Sequence, residues 1–194
     1  SAFVVHQLLL DPSKNILVVS ASKTRADDFS TFTLRLIHEA PFLQHLIPGD
    51  KQRFSKISFD VGPAPASHAP SVKSLGITSQ LTGSRADIIV ADDVEVPNNS
   101  ATQMMRDKLG EQVKEFDAII KPDEKSKILF LGTPQCEDTV YRSLQERGYD
   151  TKIWPAQHVT QSKNNLTYND NISQLCVSTE KENKTTEPLR FSDI

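Results

Sequence analysis

Apolar and polar positions along the chain fall into two alternating rhythms. Phe3, Val4, Gln7, Leu8 and Leu10 recur as the buried side of a helix, which Asp11-Pro12 stops. Ile16-Leu17-Val18-Val19 is then a short unbroken apolar run with β-branched residues, the pattern of a strand covered on both faces in a parallel sheet. Ser20-Ala21-Ser22 ends that strand, and a helix follows with Ala26, Phe29, Thr33, Leu36 and Ile37 on one side. Lys56 to Val61 alternates apolar and polar residues and reads as a strand, Gly62-Pro63-Ala64-Pro65 as a turn, and Val72 to Leu81 as a further edge hairpin.

The same rhythm resumes downstream. Asp87-Ile88-Ile89-Val90-Ala91 is a second buried strand and runs straight into Asp92-Asp93. Ser100 and Gln103 have the spacing of a capping box for a long helix whose core face is Met105, Leu109, Val113, Phe116 and Ile120, closed by Pro122. Ile128-Leu129-Phe130-Leu131 is a third buried strand, ending in Gly132-Thr133-Pro134. A helix from about Asp138 to Arg147 stops at Gly148, and Thr151 to Trp154 is a final strand.

Strands alternating with helices predict an α/β layered sheet, mainly parallel, with helices on both faces. This pattern fills residues 1–156. Residues 157–194 are rich in Asn, Gln, Ser, Thr, Lys and Glu with few apolar anchors, and read as a polar linker or tail.

Composition narrows the setting. With 194 residues the chain suits one domain with its own core, and 37% apolar with 24% charged residues fits a globular protein. A net charge of -3 and a pI near 5.9 exclude a surface that is basic throughout, so any nucleic acid would be met by a local patch or a neighbouring subunit. Cys136 and Cys176 belong to no CxxC or His-Cys cluster, which argues against disulfides and zinc and for a reducing compartment. The Asn-x-Ser/Thr triplets at Asn98, Asn165, Asn171 and Asn183 read as chance products of an Asn-rich sequence. The apolar opening from Ser1 to Leu10 has no basic leader and is shorter than the ~20 residues a bilayer span needs. A helix that starts uncapped at residue 1 reads as one entered part-way.

In open parallel sheets, sites form at the carboxyl ends of the strands. Three such ends carry polar groups here: Ser20-Ala21-Ser22, Asp92-Asp93 and Thr133-Pro134-Gln135. Two adjacent acids after a buried strand are costly unless something offsets their charge, and a divalent cation is a natural partner; the competing reading is a surface turn that happens to be acidic. One acid can hold the metal while the other polarises a water for phosphoryl transfer. Thr133 can report a phosphate, or the water beside it, by hydrogen bonding. Arg85, just before the acidic strand, can neutralise phosphate charge within the subunit or across an interface; the competing reading is an ordinary solvated arginine. His6, His38 and His45 assemble into no ligand set, and Trp154 reads as core.

Three stretches at consistent spacing then carry a resemblance: Ile16 to Phe29 (ILVVSASKTRADDF), Leu81 to Glu95 (LTGSRADIIVADDVE) and Leu131 to Gln135 (LGTPQ). Over residues 1–156 the chain resembles the large terminase subunit of tailed phages, most of all the type found in short-tailed phages. The resemblance implies a RecA-like ASCE P-loop ATPase core, followed in that family by an RNase H-like nuclease domain. It implies ATP and Mg2+ as cofactors and work on double-stranded DNA with a portal protein and a small terminase subunit. The setting would be a homo-oligomeric ring in the host cytoplasm at the procapsid portal, without a membrane. Residue by residue, Asp92 resembles the Walker B magnesium acid, and Asp93 stands where many members have the catalytic glutamate, with Glu95 as the reserve. Thr133 and Gln135 resemble the segment that couples nucleotide state to motion. The Gly83–Arg85 loop stands where the family often places an arginine acting on a neighbour's nucleotide. The Gly-rich GxxxxGK[ST] phosphate loop and the strand before it are absent, so these 194 residues alone are expected to turn over ATP poorly or not at all.

Three further readings compete. A helicase-like core shares the acidic strand and the Ser/Thr motif, but needs a second similar domain. A phosphoacceptor signalling domain needs an aspartate where Thr133 stands. A non-catalytic assembly protein derived from a terminase needs no phosphate loop at all.

Overall fold

The computed structural model describes residues 1–155 and 175–182. Helix α1 (Ala2–Leu10) leads into strand β1 (Ile16–Ser20), helix α2 (Lys23–Glu39) and a 3-10 turn (Pro41–Leu46). Two short strands, β2 (Phe54–Ser55) and β3 (Ser58–Phe59), precede β4 (Val72–Gly76) and β5 (Ile88–Asp92). Helices α3 (Pro97–Ser100), α4 (Gln103–Lys114) and α5 (Phe116–Ile119) lead to β6 (Lys127–Gly132), helix α6 (Val140–Glu146) and strands β7 (Asp150–Pro155) and β8 (Leu175–Glu182).

These strands form one sheet in the order β2-β3-β4-β1-β5-β6-β8-β7. Its centre, β4-β1-β5-β6, is parallel, and antiparallel strands flank it on both sides. The alternation of strand side chains explains why helices cover both faces. Ile16, Val18, Ile88 and Val90 pack with Val4, Val5 and Leu8 of α1 and Leu34 and Ile37 of α2. Leu17, Val19, Ile89, Ala91, Ile128 and Phe130 pack on the other face with Leu109, Val113, Phe116, Ile119, Val140 and Leu144. Each large side chain buried this way contributes about 1.5–3 kcal/mol, so the parallel centre is the most stable part of the sheet. Phe130 fixes the second layer, stacked on Phe116 at 5.7 Å and edge-on to Tyr149 at 5.6 Å between ring centroids.

Several local expectations are corrected. Val72 to Leu81 is no hairpin: β4 is a parallel neighbour of β1, and its antiparallel contact is with β3 through Ser58 and Phe59. The strand expected from Lys56 to Val61 shrinks to Ser58–Phe59, because Ser55 and Ser58 close a tight turn around Ile57. In α1 the stripe that packs is Val4, Val5, Gln7 and Leu8, while Phe3 and Leu10 are exposed. Thr102, not Ser100, caps α4 by accepting from the Met105 amide at 3.3 Å; the Ser100 hydroxyl instead closes α3 on the Val96 carbonyl. Met105 is exposed, and the expected long helix breaks at Glu115 before Phe116 turns inward. Strand β6 is not buried throughout, since Leu131 is exposed at its carboxyl end. Helix α6 begins at Val140, two residues later than expected, and ends as expected at Gly148, whose φ of +86° suits glycine.

Most of the expected linker, residues 157–174 and 183–194, lies outside the described residues. Of that stretch, Leu175–Glu182 is described, as strand β8 between β6 and β7, where the sequence pattern suggested no strand. The readings placed on the side chains of Trp154 and Cys176 and on the triplets at 165, 171 and 183 also lie outside the described residues. No helix among the described residues is long and apolar enough to cross a membrane.

Candidate functional site: the acidic edge of the parallel sheet

The carboxyl ends of the parallel strands are level. Ser20 of β1 pairs with Asp92 of β5, and Asp92 with Leu131 of β6, so one row of the sheet presents Ser20, Asp92 and the approach to Thr133. The ladder extends one residue further around Asp93. Its amide donates to the Leu131 carbonyl at 2.8 Å, and its carbonyl accepts from the Ala21 amide at 3.3 Å. Held from both sides, Asp93 takes a left-handed φ of +47°, a conformation that aspartate tolerates better than most residues.

Asp92 is half-buried, and burial together with the charge of Asp93 pushes its carboxyl above the ordinary range. Arg25 opposes that shift, and the start of α1 lies close to Asp92. Arg25, in the first turn of α2, reaches Asp93 at 3.6 Å, with both side chains more than half exposed. Ser22 caps that helix by accepting from the Arg25 amide. The amino end of α2 thus lies beside the two acids, where its free amide groups favour an anion. Close packing is built into this edge. A Cβ on Gly76 would come within 2.8 Å of the Lys23 amide nitrogen, and the wall where α2 crosses β4 accepts only glycine.

Glu95 behaves differently from the other two acids. It is 2% exposed, and its carboxylate accepts from the Gln135 amide (2.8 Å), the Thr139 hydroxyl (2.8 Å) and the Val140 amide (2.7 Å). It thereby ties the chain leaving β5 to the chain leaving β6. Between those anchors lie Thr133, half-buried, and Gln135, whose side-chain amide donates to the Thr133 carbonyl at 3.0 Å. Gly132 leads into this segment with the Tyr141 hydroxyl pressed against its α-carbon, leaving no space for a Cβ. That hydroxyl is buried without a hydrogen-bond partner. Burial and the charges of Glu95, Asp93 and Asp92 hold it well above the ordinary phenol range, so it stays neutral.

Of the residues singled out in the sequence, Asp92, Asp93, Glu95, Thr133 and Gln135 come together at this edge. Arg85 does not. It precedes β5 and lies at the opposite end of the strands, donating to the Ala118 carbonyl beside a cavity of about 190 Å³ that His68, Lys73 and Ser84 also line. Sequence reasoning passed over Arg25 and Tyr141. Arg25 was legible as a first-turn residue of the helix leaving β1, since such residues return to the strand's carboxyl edge. Nothing in the sequence pointed to Tyr141.

The fit to a divalent cation rests on charge. Asp92 and Asp93 are hard oxygen donors balanced among the described residues by the exposed Arg25, and a magnesium ion is commonly held by one or two carboxylates with waters and phosphate oxygens. Among the described residues no group of three His, Cys, Asp or Glu is arranged as a complete metal cage. The chain supplies acids, hydroxyls and helix ends, and no glycine-rich phosphate cradle.

The class defined by fold and site is an α/β protein with a carboxylate pair on the carboxyl edge of a parallel sheet. Over 175 residues, 90% of the chain, it is 54% identical to the terminase large subunit of Enterobacteria phage T3. The chain is a relative of the phage large terminase subunits, and it spans 30% of that protein's length. No protein-family model matches the chain. A solved structure described as a methyltransferase from Thermoplasma acidophilum aligns with 90% of the chain and 70% of its own, at 14% identity and a TM-score of 0.39, a likeness too low to bear on fold or function.

Proposed function

We propose that this chain forms the metal-and-water side of the ATP site in a terminase motor that drives double-stranded DNA into a procapsid. The observation that carries the reading is Asp92, destabilised by its own burial and by Asp93, beside the amino end of α1. Kinship over 90% of the chain with a terminase large subunit supports the DNA-packaging role. The parallel order β4-β1-β5-β6 with its acids on the carboxyl edge supports a RecA-like ASCE core.

Each residue has a role in this reading. Asp92 holds Mg2+, which when bound neutralises phosphate charge. Asp93, half exposed and set by its left-handed backbone, orients the attacking water and takes its proton. Thr133 and Gln135 sit on the neighbouring strand end, where a hydroxyl can answer a change at the terminal phosphate. Arg85 faces away from this site in its own subunit, so its phosphate role requires a neighbouring subunit, as in a ring. A portal, a small terminase subunit and the host cytoplasm complete the setting that the kinship suggests.

The test is ATP turnover by the full-length gene product with double-stranded DNA. Asp92→Ala is expected to lower DNA-stimulated hydrolysis by at least about a hundredfold with the fold retained. Near-normal turnover would sink the assignment of Asp92, and a wild type without DNA-stimulated turnover would favour an assembly role without catalysis.

A further inference from the structure

We infer that Glu95 is a positioning residue, a latch that fixes the Thr133–Gln135 segment against the acidic turn, and that the proton-accepting acid is Asp93. This inference rests on the ATPase reading of the edge and resolves which of its two candidate acids does the chemistry.

Accessibility separates the two. Asp93 has a side chain 52% exposed with one long contact to Arg25, so water can reach both its oxygens. Glu95 is 2% exposed, and both of its oxygens are occupied. Oε1 accepts from the Gln135 amide and the Thr139 hydroxyl, and Oε2 accepts from the same hydroxyl and the Val140 amide. Three donors to one buried carboxylate leave no room for a water poised to lose a proton. The bonds instead join two strand exits. Glu95 follows Asp92 by three residues on the chain leaving β5, and its donors lie on the chain leaving β6. Thr133 stands between β6 and the first of those donors. Its distance from Asp92 is therefore set at one end by the sheet register, where Leu131 pairs with Asp92, and at the other by Glu95. Tyr141 follows directly on Val140, and its hydroxyl fills the space that a Cβ on Gly132 would need, so the start of the segment is closely packed as well.

Two measurements on the full-length gene product test this, using Glu95→Gln because its shape preserves the packing. The first is hydrogen exchange at the Gln135 and Val140 amides, which requires no ATPase activity. Replacing a charged acceptor by a neutral one is expected to speed exchange at both by about tenfold. Unchanged exchange overturns the latch. The second is kcat and KM for ATP. Glu95→Gln is expected to lower kcat by about tenfold, with KM within about twofold. Asp93→Asn is expected to cost about a hundredfold or more in kcat. A loss in Glu95→Gln as large as that in Asp93→Asn would make Glu95 the acid and overturn the inference, and turnover within about twofold of wild type would deny that the latch positions anything. If Asp92→Ala and Asp93→Asn both leave turnover intact, the ATPase reading fails, while the exchange result still reports on the latch by itself. Thr139→Val, which deletes one of the three donors, is expected to move kcat the same way by a smaller factor.

Discussion

Strand β5 has an aspartate at each end, and the fold surrounds the two in opposite ways. Asp87, just before the strand, accepts from the Asn15 amide at 2.7 Å and from the Lys121 ammonium at 2.8 Å. Lys121 also donates to the Asn15 side chain, whose own amide holds the Ala69 and Pro70 carbonyls. Every member of that network is matched, and it staples β5 to the segments before β1, β4 and β6. At the other end, Asp92 is half-buried against a second acid, and the side-chain cation that acts on it is an exposed arginine 3.6 Å from its neighbour. Matched charge marks the end that holds the sheet together. Unmatched charge marks the end to which the proposed function assigns a cation, in keeping with the way perturbed groups gather at functional sites.

Activity should separate the two ends of β5 most strongly. Asp93→Asn in the full-length gene product should cost about a hundredfold or more in DNA-stimulated ATP turnover, whereas Asp87→Asn, measured in the same assay, should stay within about threefold. Equal losses would erase the distinction between the two ends. Stability should show the reverse order. Asp87→Ala leaves Lys121 without its carboxylate and the Asn15 amide without an acceptor, and should cost about 2 kcal/mol in chemical denaturation. Arg25→Gln removes only an exposed contact and should change stability by less than about 0.5 kcal/mol.

The smallest effect sharpens the comparison through pH. The folded state raises the Asp92 carboxyl, so it binds that proton more tightly than the unfolded chain does. Asp92 therefore favours folding while protonated, and this contribution is lost as pH rises from the ordinary aspartate range near about 4 through the raised folded value. The unfolding midpoint of wild type should fall across that window relative to Asp92→Asn. A variant curve parallel to wild type would mean that Asp92 is not strained in the fold. Asp11, held low by Ser13, acts in the opposite sense, and subtracting the two curves removes its contribution.

The sequence carried the buried strands and the acidic turn because continuous apolar runs ending in charge leave few structural choices. Ile16 to Val19 and Ile88 to Ala91 are such runs, and their alternate residues pack on both faces as expected. Strand β4 was less legible: Lys73 and Ser74 break its apolar pattern, and both find polar partners, Ser84 for the lysine and Asp27 for the serine. The cap of α4 was misplaced because Ser100 and Thr102 are both good caps, and the choice depended on Ser100 being taken by Val96. At the site, the meeting of three polar strand ends on one edge was readable from their place at the carboxyl ends of parallel strands. The separate fates of Asp93 and Glu95 were not, since they depend on donors some forty residues away on another strand's exit. Arg85 shows the same limit in the other direction, because nearness in sequence to Asp92 places it a full strand away.

The most direct test of the central claim is thermal unfolding of wild type and Asp92→Asn with increasing Mg2+ at neutral pH. An acidic pair awaiting a cation predicts a wild-type midpoint that rises with Mg2+, and an Asp92→Asn midpoint that starts at or above wild type and barely responds. A wild-type midpoint indifferent to Mg2+, or an equal rise in both proteins, would contradict it.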